Sequence, residues 1–110
     1  MKKLIGLALV MIAMAVFSLS QPAFAGDIVN GGKVFGANCA ACHMGGNNVV
    51  MRDKTLKKDA LEKYGMYDLD KIVSQVINGK NAMPSFKGKL NASEIEDVAS
   101  YVLAQADKGW

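Results

Sequence analysis

Both cysteines and the only histidine of this chain fall within one five-residue window, Cys-Ala-Ala-Cys-His at residues 39–43. Cys39, Cys42 and His43 are spaced i, i+3 and i+4, so on a helical turn they project to one side. Two thiols in this arrangement can add across the vinyl groups of a haem, and the neighbouring imidazole then reaches the iron, which is why C-x-x-C-H indicates c-type haem attachment. The window therefore predicts a domain that folds around one covalently attached haem c, with Cys39 and Cys42 as thioether links and His43 as an axial ligand.

Three other interpretations of the same window compete with haem. A Cys39–Cys42 disulfide suits an oxidising compartment, but so short a loop contributes little chain entropy and leaves His43 unexplained. A thiol–disulfide oxidoreductase usually places its C-x-x-C beside a βαβ pattern, which this sequence lacks. A zinc site would have no fourth protein ligand nearby.

The second axial ligand must come from a residue other than histidine, because His43 is the only one. Met83 is the favoured candidate, since it precedes Pro84 in an interhelical loop and Pro84 pushes it towards an extended backbone. Met51 and Met66 remain candidates, although methionine more often fills gaps in a core. Met44 adjoins His43 and cannot reach the opposite haem face. Ligation by histidine and methionine raises the haem potential.

The first 25 residues have the pattern of a secretory signal peptide. Lys2 and Lys3 form a positive start, residues 4–19 are apolar apart from one serine, and residues 23–25 are an Ala-Phe-Ala cleavage site. The alternative is an uncleaved anchor, because the uncharged run approaches the length of a membrane span. We expect cleavage after residue 25, which leaves a cytochrome c domain at 26–110 with no stable membrane insertion.

Processing also changes the size and charge of the chain. The remaining 85 residues are close to the length at which a core alone gives marginal stability, so a cofactor is an expected source of stability. Loss of Lys2 and Lys3 leaves 11 basic against 10 acidic residues, a net charge near +1. The sequence contains no basic run and no basic patch interleaved with aromatic residues, so it does not favour nucleic-acid binding.

Helical periodicity predicts an all-α fold with four helices and no strand. The helices are predicted at residues 27–42, at 55–64, at 68–78 and from Asn91 or Ser93 onward. Ser93 followed by Glu96 has the pattern of a capping box, and Gly65 is the expected stop of the second helix. Asp27 and Asp68 are the expected N-caps of the first and third helices.

Several segments resemble the cytochrome c6 family, and together they span nearly all of residues 26–110. The most specific are KYGM at 63–66 and NGKNAMP at 78–84, which go beyond the C-x-x-C-H shared by all c-type cytochromes. Further matching segments lie at 45–48, 55–58 and 101–110. The resemblance implies a class I cytochrome c fold, with about four helices around one covalently bound haem.

The resemblance also implies a function. The family implies a soluble single-electron carrier, not an enzyme, which takes electrons from the cytochrome b6f complex and passes them to photosystem I. It implies a monomer in the thylakoid lumen of a cyanobacterium or plastid. Gly31 and Phe35 would lie where the first helix crosses the last, against Val98 and Tyr101. Gln75 would lie where the family places a glutamine against the haem and could tune its potential; the alternative is an ordinary surface glutamine.

Two alternative functions remain open from the sequence. A haem enzyme such as a small peroxidase needs an exchangeable sixth position and polar distal groups, whereas Met83 would close that position. A periplasmic c-type cytochrome could instead donate electrons to a respiratory terminal oxidase.

Overall fold

The computed structural model describes residues 26–110, which form five α-helices and one 3-10 helix. The predicted signal peptide lies outside the described residues. The elements are α1 (Ile28–Asn38), α2 (Ala40–His43), the 3-10 helix (Met44–Gly46), α3 (Lys58–Lys63), α4 (Leu69–Asn78) and α5 (Ala92–Lys108). No strand is present in this part of the chain, apart from two isolated bridges, so the all-α prediction is confirmed.

The predicted N-caps of the first and third helices are confirmed. The Asp27 carboxylate accepts hydrogen bonds from the N–H groups of Val29 and Asn30 at 2.9 and 3.1 Å. The Asp68 carboxylate accepts from the N–H of Lys71 at 3.0 Å. Each cap pairs backbone donors that the first helical turn leaves without an intrahelical partner.

The last helix has a capping box, but not the predicted one. The Asn91 N–H donates to Glu94 Oε1 at 3.0 Å, and the Glu94 N–H donates to Asn91 Oδ1 at 2.8 Å. The prediction of a Ser93–Glu96 box is wrong because α5 already begins at Ala92, which places Ser93 inside the first turn. The alternative start at Asn91 is the correct one.

The first predicted helix, residues 27–42, is divided at Cys39. The Asn38 side chain donates to the carbonyl of Val34 at 2.9 Å, a local bond of the kind that competes with helical backbone pairing. Cys39 has φ −119° and caps both the end of α1 and the start of α2. The single predicted helix is therefore two helices, and the break falls at the first residue of the C-x-x-C-H window.

The second predicted helix begins three residues later than expected, at Lys58. The Thr55 hydroxyl accepts from the Lys57 N–H at 3.3 Å, which holds this segment in a turn before α3. The predicted stop is confirmed, since Gly65 has φ +67° and its N–H donates to the Glu62 carbonyl at 3.1 Å.

The core lies where α1 and α4 pack against α5. A Cβ on Gly31 would lie 2.1 Å from the Asp97 carbonyl oxygen and 2.8 Å from Tyr101 Cβ, so only glycine permits this approach of α1 to α5. The Phe35 and Tyr101 rings lie 5.3 Å apart at the same crossing. Gly31 and Phe35 thus lie where the resemblance placed them. The buried core residues include Val34, Phe35, Leu61, Ile72, Val76, Phe86, Ile95, Val98, Ala99, Val102, Leu103 and Ala106.

Two buried polar residues of α5 hold the start of the described chain. The Asp97 carboxylate accepts from the Asp27 N–H at 2.7 Å and from the Asn30 side-chain amide at 2.8 Å. The fully buried Ser100 hydroxyl accepts from the Gly26 N–H at 3.1 Å. Within residues 26–110 no helix is both long and apolar enough to cross a membrane.

Candidate haem site

The two cysteines lie at the junction of α1 and α2 as free thiols. The Cys39 carbonyl accepts from the N–H groups of Cys42 and His43 at 3.2 and 2.9 Å, so one turn of backbone holds all three residues together. Cys39 is half-buried and Cys42 is exposed. Burial raises the pKa of the Cys39 thiol from 9.0 to about 11, so this thiol is neutral at physiological pH.

His43 is oriented by a backbone carbonyl that the sequence did not indicate. Its Nδ1 lies 2.9 Å from the Asn47 carbonyl oxygen. A carbonyl oxygen can only accept, so Nδ1 carries the proton and Nε2 keeps its lone pair for a metal. This hydrogen bond fixes the tautomer and the ring direction, as partners of metal-ligating histidines generally do.

Two glycines bring that carbonyl back to the histidine ring. Gly45 and Gly46 have φ +66° and +79°, values that L side chains rarely adopt. They turn the chain sharply after His43, so that Asn47, four residues later, faces it. The predicted helices leave residues 44–48 without an assigned structure. The adjacent glycines two and three residues after the histidine are the signal that could have pointed to this return.

Met83 lies in a tight loop that α4 holds in place. Lys80 and Met83 exchange two backbone hydrogen bonds of 3.0 Å, and Asn81 between them has φ +54°. A Cβ on Gly79, whose φ is +70°, would lie 2.6 Å from the Met83 carbonyl oxygen. The loop therefore depends on glycine at position 79 to place Met83, which is partly buried against the core.

Gln75 contacts Met83 directly. Its side-chain N–H donates to the Met83 sulfur at a distance of 3.5 Å. The buried Phe86 anchors the end of the loop, since its N–H donates to the Val76 carbonyl at 2.9 Å. The structure thus brings together Gln75 and Met83, two site residues that the sequence predicted separately.

The other methionines have different surroundings. Met66 packs against the core, as expected of a gap-filling residue. Met51 is 38% exposed, so the expectation that it fills the core is wrong. Its neighbours Val49 and Val50 are each 61% exposed, and the Val49 N–H donates to the Cys42 carbonyl at 3.1 Å. An apolar surface therefore lies directly beside the second cysteine.

These groups fit a covalently attached haem. Two free thiols, an imidazole with Nε2 available and a partly buried thioether are the donor set of a c-type haem. The exposed valines beside Cys42 provide apolar surface for the body of such a group. Among residues 26–110, no separate cluster of three or more histidine, cysteine or acidic side chains could hold a metal ion.

Comparisons with known proteins point in the same direction. A family model described as "Cytochrome C oxidase, cbb3-type, subunit III" matches residues 26–102. A cytochrome c6 of Nostoc sp. is 59% identical over 110 residues, which cover 100% of this chain and 99% of the relative. A cytochrome c6 of Porphyra purpurea is 56% identical over 110 residues and is covered completely, as is this chain.

A solved structure extends the similarity to the fold. The cytochrome c6 of the diatom Phaeodactylum tricornutum superposes with a TM-score of 0.76 at 55% identity. The match covers 77% of this chain and 100% of the diatom chain.

Proposed function

The chain belongs to the cytochrome c6 family, and from that premise we propose that it takes electrons from the cytochrome b6f complex and delivers them to photosystem I. It carries single electrons in the photosynthetic chain, is not an enzyme, and binds one covalently attached haem c. Its relatives are cytochromes c6 at 56–59% identity over the full chain, and they lend no support to the respiratory alternative.

The haem is attached in this proposal through Cys39 and Cys42. Each thiol adds its S–H bond across one vinyl group, so two thioethers form and no atom is lost. The haem iron, when bound, supplies the redox chemistry by cycling between the ferric and ferrous states.

His43 and Met83 are the proposed axial ligands. The observation that carries this proposal is the 2.9 Å contact of His43 Nδ1 with the Asn47 carbonyl, because it leaves Nε2 as the coordinating nitrogen. The Met83 loop has a fixed geometry, which supports a ligand held without rearrangement when the charge on iron changes. A closed sixth position is what distinguishes a carrier from a haem enzyme.

Gln75 is the proposed tuning residue. Its N–H donates to the Met83 sulfur, so it draws electron density from the atom that would donate to iron. A weaker donor stabilises ferric iron less, so the contact raises the potential. This increase in the haem potential adds to the increase that the thioether ligand itself causes.

We also propose that the chain is exported and processed after residue 25, and that it works as a monomer in the thylakoid lumen. The match that includes the entire diatom chain uses only 77% of this chain, which supports a shorter mature form. A Cβ on Gly26 would lie 2.6 Å from the Glu96 carbonyl oxygen, so the packed domain extends to this glycine. Mass spectrometry of the native holoprotein should give residues 26–110 plus one intact haem. A mass that retains residues 1–25 would contradict processing.

The partner proposal is tested by electron-transfer kinetics. The reduced holoprotein is mixed with purified photosystem I, and its reoxidation is timed after a flash. A parallel experiment uses a purified respiratory terminal oxidase, and reduction of the oxidised protein by purified cytochrome b6f complex tests the donor. We expect fast reaction with both photosynthetic complexes. Reoxidation by the oxidase alone would contradict the proposal and favour the respiratory function.

A further inference from the structure

Trp110 follows α5 and folds back onto the segment that carries His43. Gly109 ends α5 with φ +87°, and the Trp110 N–H then donates to the Gln105 carbonyl at 2.8 Å. The indole Nε1–H donates to the Leu56 carbonyl at 2.9 Å, across 54 residues of sequence. The indole ring also lies 5.3 Å from the Phe35 ring at the crossing of α1 and α5.

The same ring rests on Gly46. A Cβ on Gly46 would lie 2.5–2.6 Å from three atoms of the indole, so the ring packs directly on the backbone of that glycine. On its other side, the Gly46 carbonyl accepts from the Leu56 N–H at 2.8 Å. Trp110 therefore holds Gly46 twice, once by direct packing and once through Leu56.

Gly46 is joined by one peptide bond to the residue that orients the histidine. The Asn47 carbonyl accepts from His43 Nδ1, and its position depends on the backbone of residues 45–47. The left-handed glycines make this backbone intrinsically free, because glycine has many accessible conformations. Contacts from outside this segment are therefore needed to hold the Asn47 carbonyl oxygen at 2.9 Å from His43 Nδ1.

We propose that Trp110 is a positioning residue for the axial histidine. It fixes the backbone of Gly46 and Asn47, and thereby the hydrogen bond that sets the direction and basicity of the His43 imidazole. The inference rests on the proposed ligation of iron by His43. A more basic imidazole stabilises ferric iron, so the contacts of Trp110 with Gly46 and Leu56 lower the haem potential. This decrease offsets part of the increase in potential caused by Met83.

The competing interpretation is that Trp110 only fills space in an aromatic cluster with Phe35 and Tyr101. A positioning role requires the hydrogen bond from the indole N–H to the Leu56 carbonyl, whereas a packing role requires only an aromatic ring. Trp110→Phe keeps an aromatic ring over Gly46 but removes the bond to Leu56. Tyr101→Phe is the matched control, because it alters another ring of the same cluster, 6.1 Å from Trp110, without touching Gly46.

The experiment uses the full holoprotein and follows the His43 Nδ1 proton by NMR. In Trp110→Phe, exchange of this proton with water should be about tenfold faster than in the wild type, the effect of losing one ordinary hydrogen bond's stabilisation. The redox potential should shift upward. Tyr101→Phe should leave both quantities at wild-type values, and Trp110→Ala should give larger changes in the same directions.

Two outcomes separate this inference from the function on which it rests. If His43 is bound to iron in the wild type but Trp110→Phe leaves exchange and potential unchanged, Trp110 is only a packing residue and the inference fails alone. If the wild-type spectrum shows that His43 is not bound to iron, the proposed ligation fails first. Trp110→Phe keeps the test valid even if Trp110→Ala does not fold.

Discussion

The crossing of α1 and α5 gives a quantitative prediction for Gly31→Ala. The new Cβ would lie 2.1 Å from the Asp97 carbonyl oxygen, about 1.3 Å closer than the 3.4 Å limit of ordinary contact. The atoms in conflict belong mainly to backbone, so no rotamer change relieves them and the two helices must separate. Overpacking of this kind lowers the free energy of unfolding by about 3 kcal/mol, and the better helix propensity of alanine offsets about 1 kcal/mol of that loss. We expect a net loss of about 2 kcal/mol in the free energy of unfolding.

For a domain of this size that loss corresponds to a fall of roughly 8–16 °C in Tm. Thermal unfolding of the ferric holoprotein, followed by circular dichroism of the helices, measures it. Gly36→Ala is the matched control, because Gly36 lies in the same helix and a Cβ there would meet no neighbouring segment within 4 Å. That variant should gain up to about 1 kcal/mol. Equal Tm values for Gly31→Ala and the wild type would refute the close approach of the two helices.

Four further predictions concern the haem and its partners. Met83→Ala should lower the potential sharply and let carbon monoxide bind the reduced protein, which the wild type should resist; an unchanged potential would exclude Met83 as ligand. Gln75→Leu should lower the potential by a smaller amount, since it removes the donor to the Met83 sulfur, and no shift would mean that Gln75 is only a surface residue. The double variant Cys39→Ala and Cys42→Ala should be largely unfolded by circular dichroism, because the short chain needs the haem as part of its core. A cooperative thermal transition with native helix content would contradict that dependence. Lys89 is exposed and lies six residues after Met83, so we expect its charge to border the surface that docks on photosystem I. Lys89→Glu should therefore slow electron delivery at low salt, with little change in potential and no effect at high salt, because charges at the rim of an interface act on association. A wild-type rate at low salt would exclude this lysine from steering.

The candidate haem-binding residues could be proposed from the sequence, because their chemistry depends on rare residues close together. Cys39, Cys42 and His43 were proposed as haem-binding residues from their spacing, and Met83 was favoured over Met51 and Met66 because of its loop position and the proline that follows it. The all-α class could be predicted because the periodic spacing of apolar residues in a helix is a local property of the chain.

What the sequence missed depends on contacts between distant segments or on backbone geometry. The hydrogen bond from the Trp110 indole to the Leu56 carbonyl joins residues 54 positions apart, which no local pattern encodes. The hydrogen bond from His43 to Asn47 requires two consecutive left-handed residues, and the predicted helices left that segment without an assigned structure.

The errors at helix ends have a common physical origin. Short polar side chains compete with the backbone for hydrogen bonds, and several such residues stand near each boundary. Asn91 and Ser93 were both acceptable caps, each with a glutamate three residues later, and the structure uses Asn91 with Glu94. Asn38 and Thr55 act similarly, so that one helix ends early and another begins late.

The central claim is that His43 and Met83 hold the iron between them, and the most direct measurement is NMR of the ferrous holoprotein. Specific isotope labelling of methionine and histidine would identify the side chains whose resonances carry the large ring-current shift of a group bound above or below the haem. We expect these to be the Met83 methyl group and the His43 ring, with Nδ1 protonated and Nε2 on the iron. A shifted methyl group that belongs to Met51 or Met66, or a His43 ring without such a shift, would contradict the account.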